Sequence, residues 1–211
     1  MATSTQHVSS NWGNFTQMHL DLHDFVGEWK VSQKLWTAPN TQPVINHGIT
    51  KCSTLLNGLA TIMATEMYTS NFKGVALITH NPKQSRYELA WLDTISDQGI
   101  LLMEGQQSHG PCHASILAEF GKTATQVREW TTVVAMATAC LPRAALQSAS
   151  RFATVGTGPD AAMAAPSVEQ VPLSLIENKI SQHQWVLEFY IPAPDGSQFL
   201  IQQNTFTRIG H

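Results

Sequence analysis

Trp91 and Asp93 stand two residues apart in RYELAWLD (86–93), a run whose alternation reads as a β-strand. A period of two puts them on one face with Tyr87 and Leu89, so an aromatic wall and a carboxylate can look into one cavity. The plainer reading packs Trp91 into a core and uses Asp93 to cap the turn that follows. Glutamates recur on runs of the same kind, at Glu66, Glu88, Glu104, Glu119, Glu129, Glu177 and Glu188. Most belong on a solvated outer face. One or two pointing inward would be desolvated, which raises a carboxyl pKa and suits it to general acid–base work. Glu66 and Glu104, each among Met, Leu and Ile neighbours, are the candidates, and a buried glutamate paired with arginine is the structural alternative. His80 ends the strand before the Asn81-Pro82 turn, where it either reaches a barrel mouth or simply bonds to backbone. The expected catalytic set is therefore Glu66, His80, Asp93 and Glu104. All four lie on neighbouring strands, which are spaced about 4.8 Å apart.

Met63, Tyr87, Trp91, Met103 and Trp185 are the residues expected to line a ligand cavity, although the same composition builds an ordinary core. No HExxH, GxSxG or glycine-rich phosphate loop is present, so no metal, cofactor or activated serine is expected. A haem-binding barrel would need a histidine projecting inward from a late strand, and the C-terminal run offers Gln202, Asn204, Thr205 and Phe206 instead. The three cysteines, Cys52, Cys112 and Cys140, contain no CxxC pair, which fits a reducing, cytoplasmic setting better than a disulfide framework.

The elements that must position these residues follow from periodicity and turn signals. Phe15, Met18, Leu22 and Phe25 recur at spacings of three and four, predicting a short capping helix ended by Gly27. Strands are then predicted at 28–36, 44–55, 59–68, 72–80, 86–94, 100–104, 112–120, 127–138, 172–180, 184–191 and 199–208. Asn57-Gly58 is the strongest hairpin signal, Asn81-Pro82-Lys83-Gln84 and Ser96-Asp97-Gln98-Gly99 are turns, and His109-Gly110-Pro111 is another. Residues 1–14 read as an arm, and the Ala-, Ser-, Gly- and Pro-rich stretch 139–170 as an irregular insertion or lid. About ten sequential strands without intervening helices give an all-β, antiparallel barrel spanning 15–211, since closure removes exposed edges. The chain has 211 residues, 43% hydrophobic and 13% charged, with a formal net charge of −3, which argues against disorder and against nucleic acid as partner. It shows no apolar run long enough for a membrane helix and no basic, apolar leader.

The motifs LHDFVGEW (22–29), LLNGLA (55–60), FKGVALITHNPKQSRYELAWLD (72–93), MEGQ (103–106) and FTR (206–208) together resemble domain-of-unknown-function family 1579. The resemblance covers most of 20–120 and 172–209 and implies a lipocalin-like, nitrobindin-like β-barrel, with little implied about chemistry. Two departures stand out: Thr79-His80-Asn81 replaces a Gly-Tyr-Asp-like turn, and the 139–170 insertion is longer than the family's usual connection.

The expected function is uptake of a small, largely apolar organic molecule into the barrel, followed by cofactor-free acid–base chemistry of cyclase, isomerase or lyase type. A carrier without turnover is the alternative, distinguished by an apolar cavity without a working carboxylate. A third reading fills the barrel with its own side chains and assigns the function to a homodimer surface.

Overall fold

Ten antiparallel strands close into a barrel in the computed structural model, which describes residues 15–95, 99–108, 126–137, 168–193 and 195–210. The strands are β1 (Gly27–Leu35), β2 (Val44–Leu55), β3 (Ala60–Met67), β4 (Lys73–Asn81), β5 (Arg86–Asp93), β6 (Leu101–Ser108), β7 (Gln126–Ala137), β8 (Val168–Ser181), β9 (Gln184–Pro192) and β10 (Gln198–Arg208). Each pairs with its sequence neighbours, and β1 closes on β10 through Trp29 to Leu35 opposite Arg208 to Gln202. Among the described residues every strand thus has a partner on both sides, as the apolar sequential runs require. The expected strand at 112–120, the turn at 109–111, the 1–14 arm and 139–167 lie outside the described residues, as do positions 96–98 of the second turn.

Turn chemistry fixes the hairpins. Asn57 and Gly58 take positive-φ conformations (57° and 95°) between β2 and β3, which asparagine tolerates at little cost and glycine, lacking a Cβ, adopts freely. At 81–84 the Asn81 carboxamide oxygen accepts from the Lys83 and Gln84 amides, an Asx turn that reverses the chain into β5.

A short α-helix, α1 (Gln17–His23), lies across one end of the barrel and touches β3 and β4. Thr16 and His19 form a capping box at its start, the Thr16 amide donating to His19 Nδ1 at 3.0 Å. Gly27 does not end this helix as expected. The helix stops at His23, and Gly27 instead opens β1 at φ 134°, where the Arg208 guanidinium occupies the space a side chain would need. Arg208 donates there to the Val26 and Asp24 carbonyls, tying the cap to the last strand. β8 also begins earlier than expected, so 168–170 belong to the strand.

The inward alternation of every strand fills the interior. Trp29, Tyr87, Trp130, Trp185, Leu187 and Phe206 are buried there, with Leu22 and Phe25 pressing in from the cap. Trp185 and Phe206, register partners on β9 and β10, stack with ring centroids 3.6 Å apart. Among the described residues no helix is long and apolar enough to cross a membrane.

Candidate functional site

The interior is not wholly apolar. Arg128 on β7 and Glu177 on β8 are direct register partners, and their alternation points both inward. Side-chain exposure is 2% for Arg128 and 8% for Glu177. Arg128 donates to Glu177 Oε1 through Nε at 3.1 Å and through Nη2 at 2.6 Å, while Trp130 Nε1 donates to Oε2 at 3.3 Å. Both carboxylate oxygens are therefore occupied. The guanidinium is also stacked between two rings, 4.5 Å from the Phe25 centroid and 4.9 Å from that of Tyr87. Charge, hydrogen bonds and cation–π contacts together offset the cost of burying it. Trp130 reaches its place because its β6 partner is Gly105: a Cβ there would lie 2.5 Å from the indole ring.

Beside this pair lies a cavity of about 30 Å³. Its walls are apolar, with Leu22 and Phe25 from the cap and Met63, Leu89, Leu175 and Trp185 from the strands, and Arg128 and Glu177 supply the charge. Two buried donors on residues of these walls, Arg128 Nη1 and Trp185 Nε1, have no acceptor among the described residues. Buried N–H groups are nearly always paired, so these two stand out among the described residues. The other titratable groups nearby hold their protons. Burial pushes the Cys52 thiol up to about 12, helped by the Glu177 charge and opposed by Arg208. Burial likewise takes the Tyr87 hydroxyl to about 12 against the opposing pull of Arg128.

The cap meets the strands through a second polar cluster. The His19 and His80 rings lie edge to face at 5.4 Å, and the Thr16 hydroxyl sits 3.0 Å from His19 Nδ1 and 3.3 Å from His80 Nδ1. Both imidazoles are held below the ordinary histidine value, chiefly by burial, with mutual or neighbouring histidine charge adding to it. On the outward side of β9 and β10, Glu188 is fully buried and accepts from Tyr190 at 2.8 Å and Gln203 at 3.0 Å.

The four residues expected to act together are dispersed. Glu66 points outward and pairs with Lys73 at 3.0 Å. Glu104 points outward and pairs with Arg86 at 2.5 Å. Both lie on the face opposite to Trp91 and Asp93, because their registers place them one residue out of phase with the inward set. Asp93 does face inward but is engaged locally, accepting from Trp91 Nε1 at 2.7 Å and from the Ile95 amide at 2.8 Å, as a turn cap would be. His80 is inward and buried, at the closed end beneath α1 rather than at a mouth. Of the expected lining residues, Met63 and Trp185 border the cavity, and Tyr87 is buried against Arg128. Met103 belongs to the packed core, and Trp91 is half-buried against Phe72.

A family model described as "Protein of unknown function (DUF1579)" matches residues 14–139, more than half of the chain. The chain belongs to this family. A crystal structure of Rv2717c from M. tuberculosis is similar at a TM-score of 0.49 and 12% identity, covering 93% of this chain and 100% of that one. Among curated proteins none matches. In this DUF1579 protein the match ends short of Glu177, so half of the buried pair lies beyond it. Sequence reasoning missed that pair, and alternation held the signal. Arg128 shares parity with Trp130, and Glu177 with Leu173 and Leu175, so each charge stands on an apolar face. The spacing of His19 and His23, four apart on one helical face, likewise pointed to the cap.

Proposed function

We propose that this DUF1579 protein binds a small, largely apolar organic molecule carrying one hydrogen-bond acceptor, with the acceptor placed on Arg128 inside the barrel. The observation that carries this reading is a pair of buried donors without a partner among the described residues, Arg128 Nη1 and Trp185 Nε1, both on residues that line one apolar cavity. Glu177 and Trp130 hold the guanidinium fixed, so the donor is preorganised and little ordering cost attends binding. A cavity of about 30 Å³ has room for the acceptor group and no more. The apolar body must therefore take the place of movable groups, for which the thioether of Met63 and the cap residues Leu22 and Phe25 are situated.

Binding without turnover is favoured over acid–base catalysis. Both Glu177 oxygens already accept hydrogen bonds, and Cys52 and Tyr87 stay protonated at neutral pH. A haem group would need far more room than the closed end offers. A cytoplasmic setting is part of the proposal, in keeping with the free, buried Cys52.

Native mass spectrometry of protein purified without denaturation tests the reading. A retained adduct of small-molecule mass is expected, and it should be lost in Arg128→Met, which keeps volume but removes the donor. Met63→Trp, which fills the cavity and leaves the ion pair alone, should also exclude it. An adduct that survives both substitutions, or none from any host extract, would sink the proposal.

A further inference from the structure

The cap α1 is held at its start by imidazoles rather than by carboxylates or amides. A capping box ordinarily places Glu or Gln third in the helix, where its oxygen accepts the amide of the preceding cap residue. Here the third residue is His19, and its Nδ1 accepts from the Thr16 amide at 3.0 Å. A ring nitrogen that accepts carries no proton, so His19 is the neutral tautomer protonated on Nε2. The Thr16 hydroxyl sits 3.0 Å from the same nitrogen and 3.3 Å from Nδ1 of His80 on β4, bridging the two imidazoles. Seven residues are too few to stay helical by themselves, so α1 persists only through its cap and its packing on the barrel.

We propose that α1 is an acid-released cap: protonation of His19 and His80 breaks its attachment and opens the closed end of the barrel above the cavity. A proton on His19 Nδ1 sets a donor against the Thr16 amide and dissolves the capping box. A second proton on His80 leaves two buried cations with ring centroids 5.4 Å apart. Burial disfavours the charged form of each ring. The charge of His23 adds to this at His19 and that of His19 at His80, against a His80 backbone contact that favours the charged His19. The other groups around the pair do not take up the charge. Tyr87 of β5, its ring 5.3 Å from His80, holds its proton, and Arg128 over that ring is bound to Glu177. From β3 the neutral Thr61 hydroxyl donates to the Leu22 carbonyl. On α1 itself His23 donates to the Gly58 carbonyl, which it does charged or neutral. Asp21 accepts from Gln17 and Gln126, and Asp24 pairs with Lys179 of β8. The charged imidazoles therefore belong to the released cap, and release is favoured as pH falls below about 6.5, the value of a free histidine. Release lifts Leu22 and Phe25 off the cavity they line. Use of that opening to admit or discharge a ligand rests on the binding proposed above; release of the cap does not.

Hydrogen–deuterium exchange of the full chain, read as protection factors at pH 7 and pH 5 with no ligand added, tests the proposal. The amides of α1 should lose at least about tenfold in protection at the lower pH, while those of β1 and β10 keep theirs. His19→Gln supplies an acceptor that does not titrate and should keep the cap protected at both values. His80→Gln removes the second charge and should shrink the loss, and it carries the test if His19→Gln does not fold. Equal protection of α1 at both pH values in the parent overturns the proposal. So does a loss of parental size in either variant. A fall in β1 and β10 protection alongside that of α1 overturns a local release, because the whole barrel is then unfolding.

Discussion

The meander β3–β6 and the antiparallel pair β7–β8 use the same kinds of residue to opposite ends. Both pair glutamates with basic residues, yet Glu66, Glu88 and Glu104 lie outside in water-exposed ion pairs, whereas Glu177 lies inside against Arg128. In the meander Glu88 and Glu104 are direct register partners, an unfavourable pairing of like charges that Arg86 offsets by reaching both. In β7 and β8 the register partners are themselves the opposite charges, and the further support comes from neutral groups, the Trp130 indole and the Phe25 and Tyr87 rings. The difference is one residue of parity. An outward pair keeps its hydration and its partner can be lost cheaply, while an inward pair has exchanged water for its partner and cannot.

The sharpest way to break this comparison is to remove one arginine from each region. Arg128→Ala leaves Glu177 buried without its counter-charge and should cost about 3–5 kcal/mol. Arg86→Ala should cost less than about 1 kcal/mol. Chemical denaturation with matched slopes measures both, and similar losses would show that the two pairs are equivalent.

A smaller effect is expected where the meander meets the cap. His19 and His80 are held below their ordinary value of about 6.5, so the folded protein binds fewer protons there than the unfolded chain. Their contribution is fully present above about 6.5 and is lost as pH falls below that value. His23 lies beside them, and Asp21 and Asp24 on the cap accept from Gln126 and Lys179. The thermal midpoint should therefore drop between pH 7 and 5, and the drop should shrink in His80→Gln. A midpoint flat over that range would remove the buried histidine contact from the description.

The smallest effects belong to Glu66→Gln and Glu104→Gln, each expected within about 0.5 kcal/mol of the parent. A larger loss in either would place it in a network that its exposed pairing does not suggest.

Much of the fold was legible from local chemistry. The boundaries of β2 were readable to the residue, and the Asn57-Gly58 and Asn81-Pro82 reversals were readable because those residues carry their turn geometry with them. The shared inward face of Tyr87, Leu89, Trp91 and Asp93 followed from period-two alternation, and the closure of many sequential strands into a barrel followed from the need to cover their edges. Gly27 misled because a glycine after a helical run signals a cap, whereas here it makes room for Arg208.

The site was a different matter. Alternation says which residues of one strand share a face, and with Met63 and Met103 inward it already sends Glu66 and Glu104 outside; it does not say how two strands are offset. Nor does it say that residues 128 and 177, 49 apart in sequence, stand opposite each other. The sequence by itself determined the strands, their reversals and which face of each is apolar, since those depend on neighbours along the chain. Only the tertiary structure decided which charge is buried, what partners it and where an unpaired donor remains, because those depend on register between strands that the chain brings together from a distance.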